Sequence, residues 1–247
     1  MSHHYIRYTN VHYSYPSGQE ALKGVDLLIK HGEKVALLGL NGAGKSTLLL
    51  LTNGLLLPTE GEVNVGDVPV SKKTAPMVRR AVGMVFQNPD DQLFMPTVWD
   101  DVAFGPRNMQ LPPSEVERRV EVALRSVGAW DLRDRAPSDL SGGQKRAVAI
   151  ATVLSMEPNI LVMDEPSSNL DSRTREQLMA IVNDFHHTVV IATHDLEMAL
   201  ELCPRSVIMK DGRIIADGLT ERLLRDQELL ELAGLSLTPA LAEYVEK

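Results

Sequence analysis

Apolar residues in this chain fall in short runs, and the rhythm within the runs changes from the N-terminus onwards. Strand-like stretches come first, over residues 5–8, 11–15 and 21–30, with Pro16-Ser17-Gly18 as a turn. They predict an antiparallel sheet. Unbroken apolar runs follow at 35–38, 82–86, 160–163 and 189–192, as expected of strands buried on both faces. A further strand is expected over 62–65. Helices are expected over 48–51, stopped by Asn53-Gly54, and again over 147–154 and 172–185. Another follows Pro112-Pro113, where Val116, Val120, Leu124 and Val127 recur at helical spacing, Ser114 and Glu117 suggest a capping box, and Gly128 marks the stop. The stretch 87–106 reads as loop-rich. Residues 207–210 and 213–216 flank Asp211-Gly212, a two-residue hairpin signal, and a charged amphipathic helical tail closes the chain. Strand alternating with helix predicts an α/β fold with a mostly parallel sheet, whose chemistry lies at the carboxyl ends of its strands. Gln87, Glu165 and His194 each follow a strand at that edge.

Composition narrows this picture little. The 247 residues fit one large or two intimate domains. They are 44% hydrophobic and 23% charged with a formal net charge of −8, which argues against nucleic acid as the main partner. The single cysteine, Cys203, excludes an internal disulfide and reads as a small packing residue near a helix end. Residues 1–5 have no basic segment followed by an apolar one, so no signal peptide is expected. The most apolar run, 48–57, is broken by Thr52, Asn53 and Gly54 and is too short to span a bilayer. If the protein works at a membrane, another chain crosses it. The pair His3-His4 and the histidines at 12, 31, 186 and 187 read as solvated or packing residues.

The chemistry centres on Gly39-Leu40-Asn41-Gly42-Ala43-Gly44-Lys45-Ser46-Thr47, placed between a strand and a helix. Gly39, Gly42 and Gly44 let the backbone bring its N–H groups close to anionic oxygens. Lys45 would reach the β- and γ-phosphates of a nucleotide, the Ser46 hydroxyl would ligate magnesium, and the helix N-terminus adds its positive end. About 120 residues on, an apolar strand ends in Asp164-Glu165. Asp164 could share magnesium with Ser46, and Glu165 could polarise an attacking water. Leu140-Ser141-Gly142-Gly143-Gln144 opens a second glycine-rich helix, either a plain cap or a second anion contact. His194 is a γ-phosphate sensor or a structural histidine. Tyr15 is a sheet residue or a ring for stacking on a purine. Phe94, Trp99 and Phe104 are either a docking patch or a small local core.

Together these residues resemble the ATP-binding cassette (ABC) ATPases, the motor subunits of ABC transporters, over nearly the whole chain. Gly39–Thr47 matches Walker A, Gln87 the Q-loop glutamine, residues 140–144 the signature, 160–164 Walker B with Glu165 as catalytic base, 168–171 the D-loop, His194 the switch histidine, and Tyr15 the adenine-stacking aromatic. The resemblance implies a P-loop fold in a single domain over 1–247. A RecA-like core would carry an N-terminal antiparallel subdomain, an inserted helical subdomain near 88–158 and a C-terminal hairpin with helices over 205–247. It implies ATP and Mg²⁺ as cofactors. The nucleotide contacts would be Tyr15, Gly39, Asn41, Gly42, Ala43, Gly44, Lys45, Ser46, Thr47, Ser141, Gly143 and Asp171. Ser46, Gln87 and Asp164 would hold the metal, and Glu165, His194, Gln87 and Lys45 would carry catalysis. Two protomers would sandwich ATP, with Ser141 and Gly143 of one closing on the γ-phosphate held by Lys45 of the other.

The segment 87–106 is similar to energy-coupling-factor importers, especially the cobalt and nickel branch, and would receive a transmembrane coupling protein that works with a substrate-binding membrane subunit. The chain would then act at the cytoplasmic face of the cell membrane, with a vitamin as the alternative cargo. Two departures stand out: Ser167-Ser168-Asn169 replaces the Thr-Ala-Gly common in that branch, and the chain ends soon after its last helix. A soluble cassette acting on ribosomes or DNA usually carries two cassettes or a long insertion. A purely regulatory module would lack part of the set Lys45, Gln87, Glu165 and His194.

Overall fold

Period-two burial builds the first sheet. In β1 (Ile6–Ser14), Ile6 and Tyr8 point into the core while Arg7 and Thr9 face out, and β2 (Glu20–Ile29) pairs with it antiparallel. The computed structural model describes residues 5–168 and 170–246; His3, His4 and Asn169 lie outside the described residues. The sequence pattern divides β1 in two. The strand is continuous because Asn10, at φ 45°, forms a bulge that shifts the register between Tyr8 and Val11.

The chain continues through β3 (Lys34–Leu38), α1 (Lys45–Thr52), β4 (Glu60–Val65), β5 (Val68–Pro69), α2 (Ala75–Ala81) and β6 (Val82–Val85). Next come α3 (Val98–Asn108), α4 (Pro113–Ser126), α5 (Gly142–Leu154), β7 (Ile160–Asp164), α6 (Ser172–Asp184), β8 (Thr188–Thr193) and α7 (Leu196–Leu202). The hairpin β9 (Arg205–Lys210) and β10 (Arg213–Leu219) follows, then α8 (Thr220–Leu224), α9 (Gln227–Ala233) and α10 (Pro239–Glu246).

Among the described residues the strands form two sheets, one of order β2-β1-β4-β5 and one of order β10-β9-β3-β8-β7-β6. The second is parallel from β9 to β6, with β10 antiparallel at its edge. Alternate residues of its central strands serve two cores. Ile160 and Val162 join Leu48, Leu49 and Tyr8 between the sheets, while Leu161 and Met163 join Leu124, Val148 and Met198 on the other face. The carboxyl ends of β3, β6, β7 and β8 therefore share one edge, and Gly39, Gln87, Glu165 and His194 lie just beyond it.

Four local expectations need correction. The segment 87–106 is not a loop throughout: α3 starts at Val98, where the Thr97 hydroxyl accepts the Asp100 N–H at 3.1 Å. Gly105 and Pro106 near its end hide this helix from a reading based on breakers. No Ser114–Glu117 capping box forms, because Pro113 starts α4 and leaves Ser114 inside it; the first-turn acid that engages is Glu115, 2.7 Å from both Arg118 and Arg119. Two short helices, α2 and α7, were not expected. The tail is three short helices, interrupted at Arg225-Asp226 and at Gly234, whose φ is 70°.

Candidate active site

The loop after β3 is shaped by what glycine lacks. A Cβ on Gly39 would collide with the Met209 carbonyl, and one on Gly44 would lie 2.7 Å from the Ala21 carbonyl and 2.9 Å from the Leu22 side chain. Gly42 and Gly44 have φ of 84° and 102°. Gly44 is also the N-cap of α1, and neither a side-chain cap nor a first-turn acid neutralises that helix end. Its N–H groups are therefore available to an anion. Tyr15, Gln19, Ala21, Leu40, Asn41, Gly42, Ala43, Gly44, Lys45, Ser46, Thr47, Gln87 and Glu165 enclose a cavity of about 330 Å³ there.

Inside it, Lys45 is 5% exposed, and its Nζ donates to the carbonyls of Gly39 at 2.7 Å and Leu40 at 3.2 Å. The same nitrogen is 3.6 Å from Glu165 Oε1. Asp164 and Glu165 are both buried at the end of β7, so two carboxylates and one ammonium lie close together, with Lys45 and Glu165 lining the cavity. Burial raises the Asp164 pKa and the neighbouring Glu165 adds to it, against the Ser46 hydroxyl bonded to its carboxylate and the positive charges of Lys45 and Arg146. Asp164 Oδ1 and Glu165 Oε1 are buried without a hydrogen-bond partner; Glu165 lines the cavity, and Asp164 lies beside Ser46, which does.

Glu165 has φ 44°, a left-handed conformation that a side chain rarely adopts. Its N–H donates to the Ala192 carbonyl at 2.8 Å, and its Oε2 is 2.9 Å from His194 Nδ1 and 3.3 Å from Thr193 Oγ1. The Tyr15 hydroxyl is 2.9 Å from Thr47 Oγ1, and its ring stands edge-on to Tyr13 with centroids 5.0 Å apart.

Not every candidate meets here. Ser141 caps α5 in a complete capping box with Gln144, on an exposed turn. Asp171 caps α6 by accepting the Thr174 N–H at 2.8 Å. Ser141, Gly143 and Asp171 do not line the phosphate-loop cavity. The aromatic trio divides: Trp99 packs edge-on against Trp130, whereas Phe94 and Phe104, 5.0 Å apart, are 63% and 42% exposed.

Sequence reasoning missed three supports. Arg146, 4% exposed, donates to the carbonyls of Phe86 and Gln87. Gln92 accepts from the Phe86 N–H at 3.1 Å and donates to the Ala149 carbonyl at 2.7 Å. Thr193 backs Glu165. Only Arg146 carried a signal, an arginine on the helix that opens at Ser141. A larger cavity of about 880 Å³ lies at the opposite ends of the strands, between Lys34, Cys203, Arg205 and Leu219, and holds none of the motif residues. Cys203 is buried there with its thiol pushed up to about 12, an inert packing residue.

The family model for ABC transporters matches residues 22–168, from β2 through the phosphate loop and β7 to three residues beyond Glu165. The chain belongs to the ABC transporter ATP-binding family. The energy-coupling factor transporter ATP-binding protein EcfA of Carboxydothermus hydrogenoformans is 46% identical over 98% of this chain and 90% of its own length. Among solved structures, cbiO1 from Clostridium perfringens, part of the ABC transporter complex cbiONQ, is 38% identical over the full length of both chains, with a TM-score of 0.81. The ATP-binding cassette MJ0796, solved as a dimer in a post-hydrolysis state with ADP and Pi, is 32% identical over 87% of this chain and 98% of its own, at 0.78. The two-sheet architecture is thus the ABC ATPase fold, and this cassette is an ATP-binding subunit that couples hydrolysis to transport. Among the described residues, no helix of the cassette is long and apolar enough to cross a membrane.

Proposed function

We propose that this cassette hydrolyses Mg-ATP to power an energy-coupling-factor importer at the cytoplasmic face of the membrane, with cobalt or nickel as cargo. The observation that carries the catalytic half is the buried constellation of one ammonium and two carboxylates facing an uncapped helix end. The likeness to EcfA and to cbiO1 supports the transport half. Another cargo of the same importer class, such as a vitamin, is the second reading. The whole chain acts as one domain, with 88–158 as its helical subdomain and 205–247 as its C-terminal hairpin and helices.

In this reading Lys45 exchanges the Gly39 and Leu40 carbonyls for the β- and γ-phosphates, joined by the N–H groups of the loop and of α1. Asp164 Oδ1, buried and unpartnered beside the Ser46 hydroxyl, fits a magnesium ligand, and Ser46, Asp164 and Gln87 would hold the ion. When bound, the ion neutralises charge on the phosphate oxygens. Glu165 Oε1 takes a proton as water attacks the γ-phosphorus and the bond to the β-phosphate oxygen breaks. His194 and Thr193 fix the other carboxylate oxygen. Ser141 and Gly143 of a second protomer, with the Asp171 segment beside them, complete the γ-phosphate site. Their absence from the cavity of a single chain supports this, as does the dimeric state of MJ0796.

Tyr15 supplies the adenine platform. Tyr15→Ala is expected to raise the KM for ATP about two- to tenfold with kcat unchanged, the size of one ring contact. Steady-state kinetics checks this, and an unchanged KM returns Tyr15 to its pairing with Tyr13.

Phe94 and Phe104 receive the transmembrane partner, while Trp99 belongs to the local core. The double variant Phe94→Ala with Phe104→Ala should lose copurifying membrane subunits while its ATP affinity and melting temperature stay unchanged. Identifying those subunits in the parent complex also tests the cargo; retention by the double variant removes this surface from the account.

A further inference from the structure

The Asp211-Gly212 hairpin tip does more than reverse the chain. Asp211 and Gly212 have φ of 48° and 79°, the doubly left-handed pair of a tight hairpin. That geometry turns the Gly212 peptide groups outward onto two other elements. Its N–H donates to the Ala43 carbonyl in the phosphate loop at 3.1 Å, and its carbonyl accepts the Lys23 N–H of β2 at 2.9 Å. Arg213 adds a third tie, with Nη1 donating to the Lys23 carbonyl at 2.8 Å. The fit is close, because a Cβ on Gly212 would lie 2.6 Å from the Ala21 carbonyl. Two residues before Asp211, Met209 of β9 presents its carbonyl to Gly39.

The hairpin therefore grips two parts that bind opposite ends of a nucleotide. β2 begins at Glu20, directly after the turn that carries Tyr15, and the phosphate loop carries Ala43. Direct links between these parts are the Tyr15 hydroxyl on Thr47 and the packing of Gly44 against Ala21 and Leu22. We propose that Gly212 and Arg213 are positioning residues that set the span between the adenine platform and the phosphate loop, so that affinity for an intact nucleotide depends on them while affinity for its phosphates alone does not. Preorganisation of this kind lowers the ordering cost of a ligand that must touch both ends.

The proposal rests on the reading of Tyr15 and the loop as the two ends of one ATP site. Its test compares Mg-ATP with magnesium tripolyphosphate in equilibrium binding. Arg213 is exposed, so Arg213→Ala leaves the core intact. It should raise the Kd for ATP about three- to tenfold, the worth of one hydrogen bond, with the Kd for tripolyphosphate unchanged. Arg213→Lys, which keeps a donor, should recover most of the loss. Gly212→Ala should give a larger effect with the same selectivity. An unchanged ATP affinity in Arg213→Ala, or an equal loss for both ligands, overturns the clamp. If Tyr15→Ala also leaves ATP affinity unchanged, the placement of the base fails, and the clamp with it.

Discussion

Glu165→Gln should lower ATP turnover by about 10²- to 10⁴-fold, the range of a lost general base, while ATP still binds. The amide keeps the shape of the carboxylate and can still meet His194 and Thr193, but it cannot accept the proton of the attacking water. The substitution relieves the repulsion between Glu165 and Asp164 but also removes the charge that pairs with the buried Lys45. Binding without turnover should leave the nucleotide trapped. Single-turnover and steady-state assays on the purified variant would show this, and hydrolysis at the parent rate would remove Glu165 from the role of base.

Lys45→Ala is expected to fail earlier in the cycle. Two charge-assisted contacts to phosphate disappear, each worth about 1.5–3 kcal/mol, so the Kd for ATP should rise by about 10²-fold or more. The variant should still fold. Among the described residues Lys45 donates to the Gly39 and Leu40 carbonyls and pairs with Glu165 at 3.6 Å, and Leu40 and Glu165 line a cavity that water can enter. Calorimetry with a thermal melt of the same sample separates lost binding from lost structure. Binding within threefold of the parent would contradict the role given to this side chain.

The contrast between these variants reflects how the chain encodes its site. The phosphate loop is legible because its requirements are local: a strand, glycines at fixed steps, a lysine and a hydroxyl in nine consecutive residues. Walker B is legible for the same reason, four aliphatic residues and then two acids. The central strands were readable as unbroken apolar runs because both faces of that sheet are covered. Elements set by distant partners were not legible. α3 carries breakers at Gly105-Pro106, yet Thr97 caps it, and the buried Asp101 holds the Phe94 and Met95 N–H groups at 3.0 Å each. The divided fate of Phe94, Trp99 and Phe104 depends on Trp130, some thirty residues away. Arg146 is marked in the sequence only as an arginine on the helix that opens at Ser141; its acceptors, the Phe86 and Gln87 carbonyls, are 60 and 59 residues away. The hairpin tip was recognised as a turn, but its grip on Ala43 and Lys23 depends on two segments far off in sequence.

That leaves the division of the site between two chains, the claim on which the catalytic account turns. Ser141 and Gly143 lie outside the cavity that holds Lys45 and Glu165, and in the proposed mechanism the γ-phosphate bound by one protomer is completed by those groups of another. Sedimentation of Glu165→Gln with Mg-ATP, over a range of protein concentrations, measures this directly. The account predicts a stable dimer that dissociates when ATP is replaced by ADP. A species that binds ATP yet remains a single protomer at every concentration would contradict it.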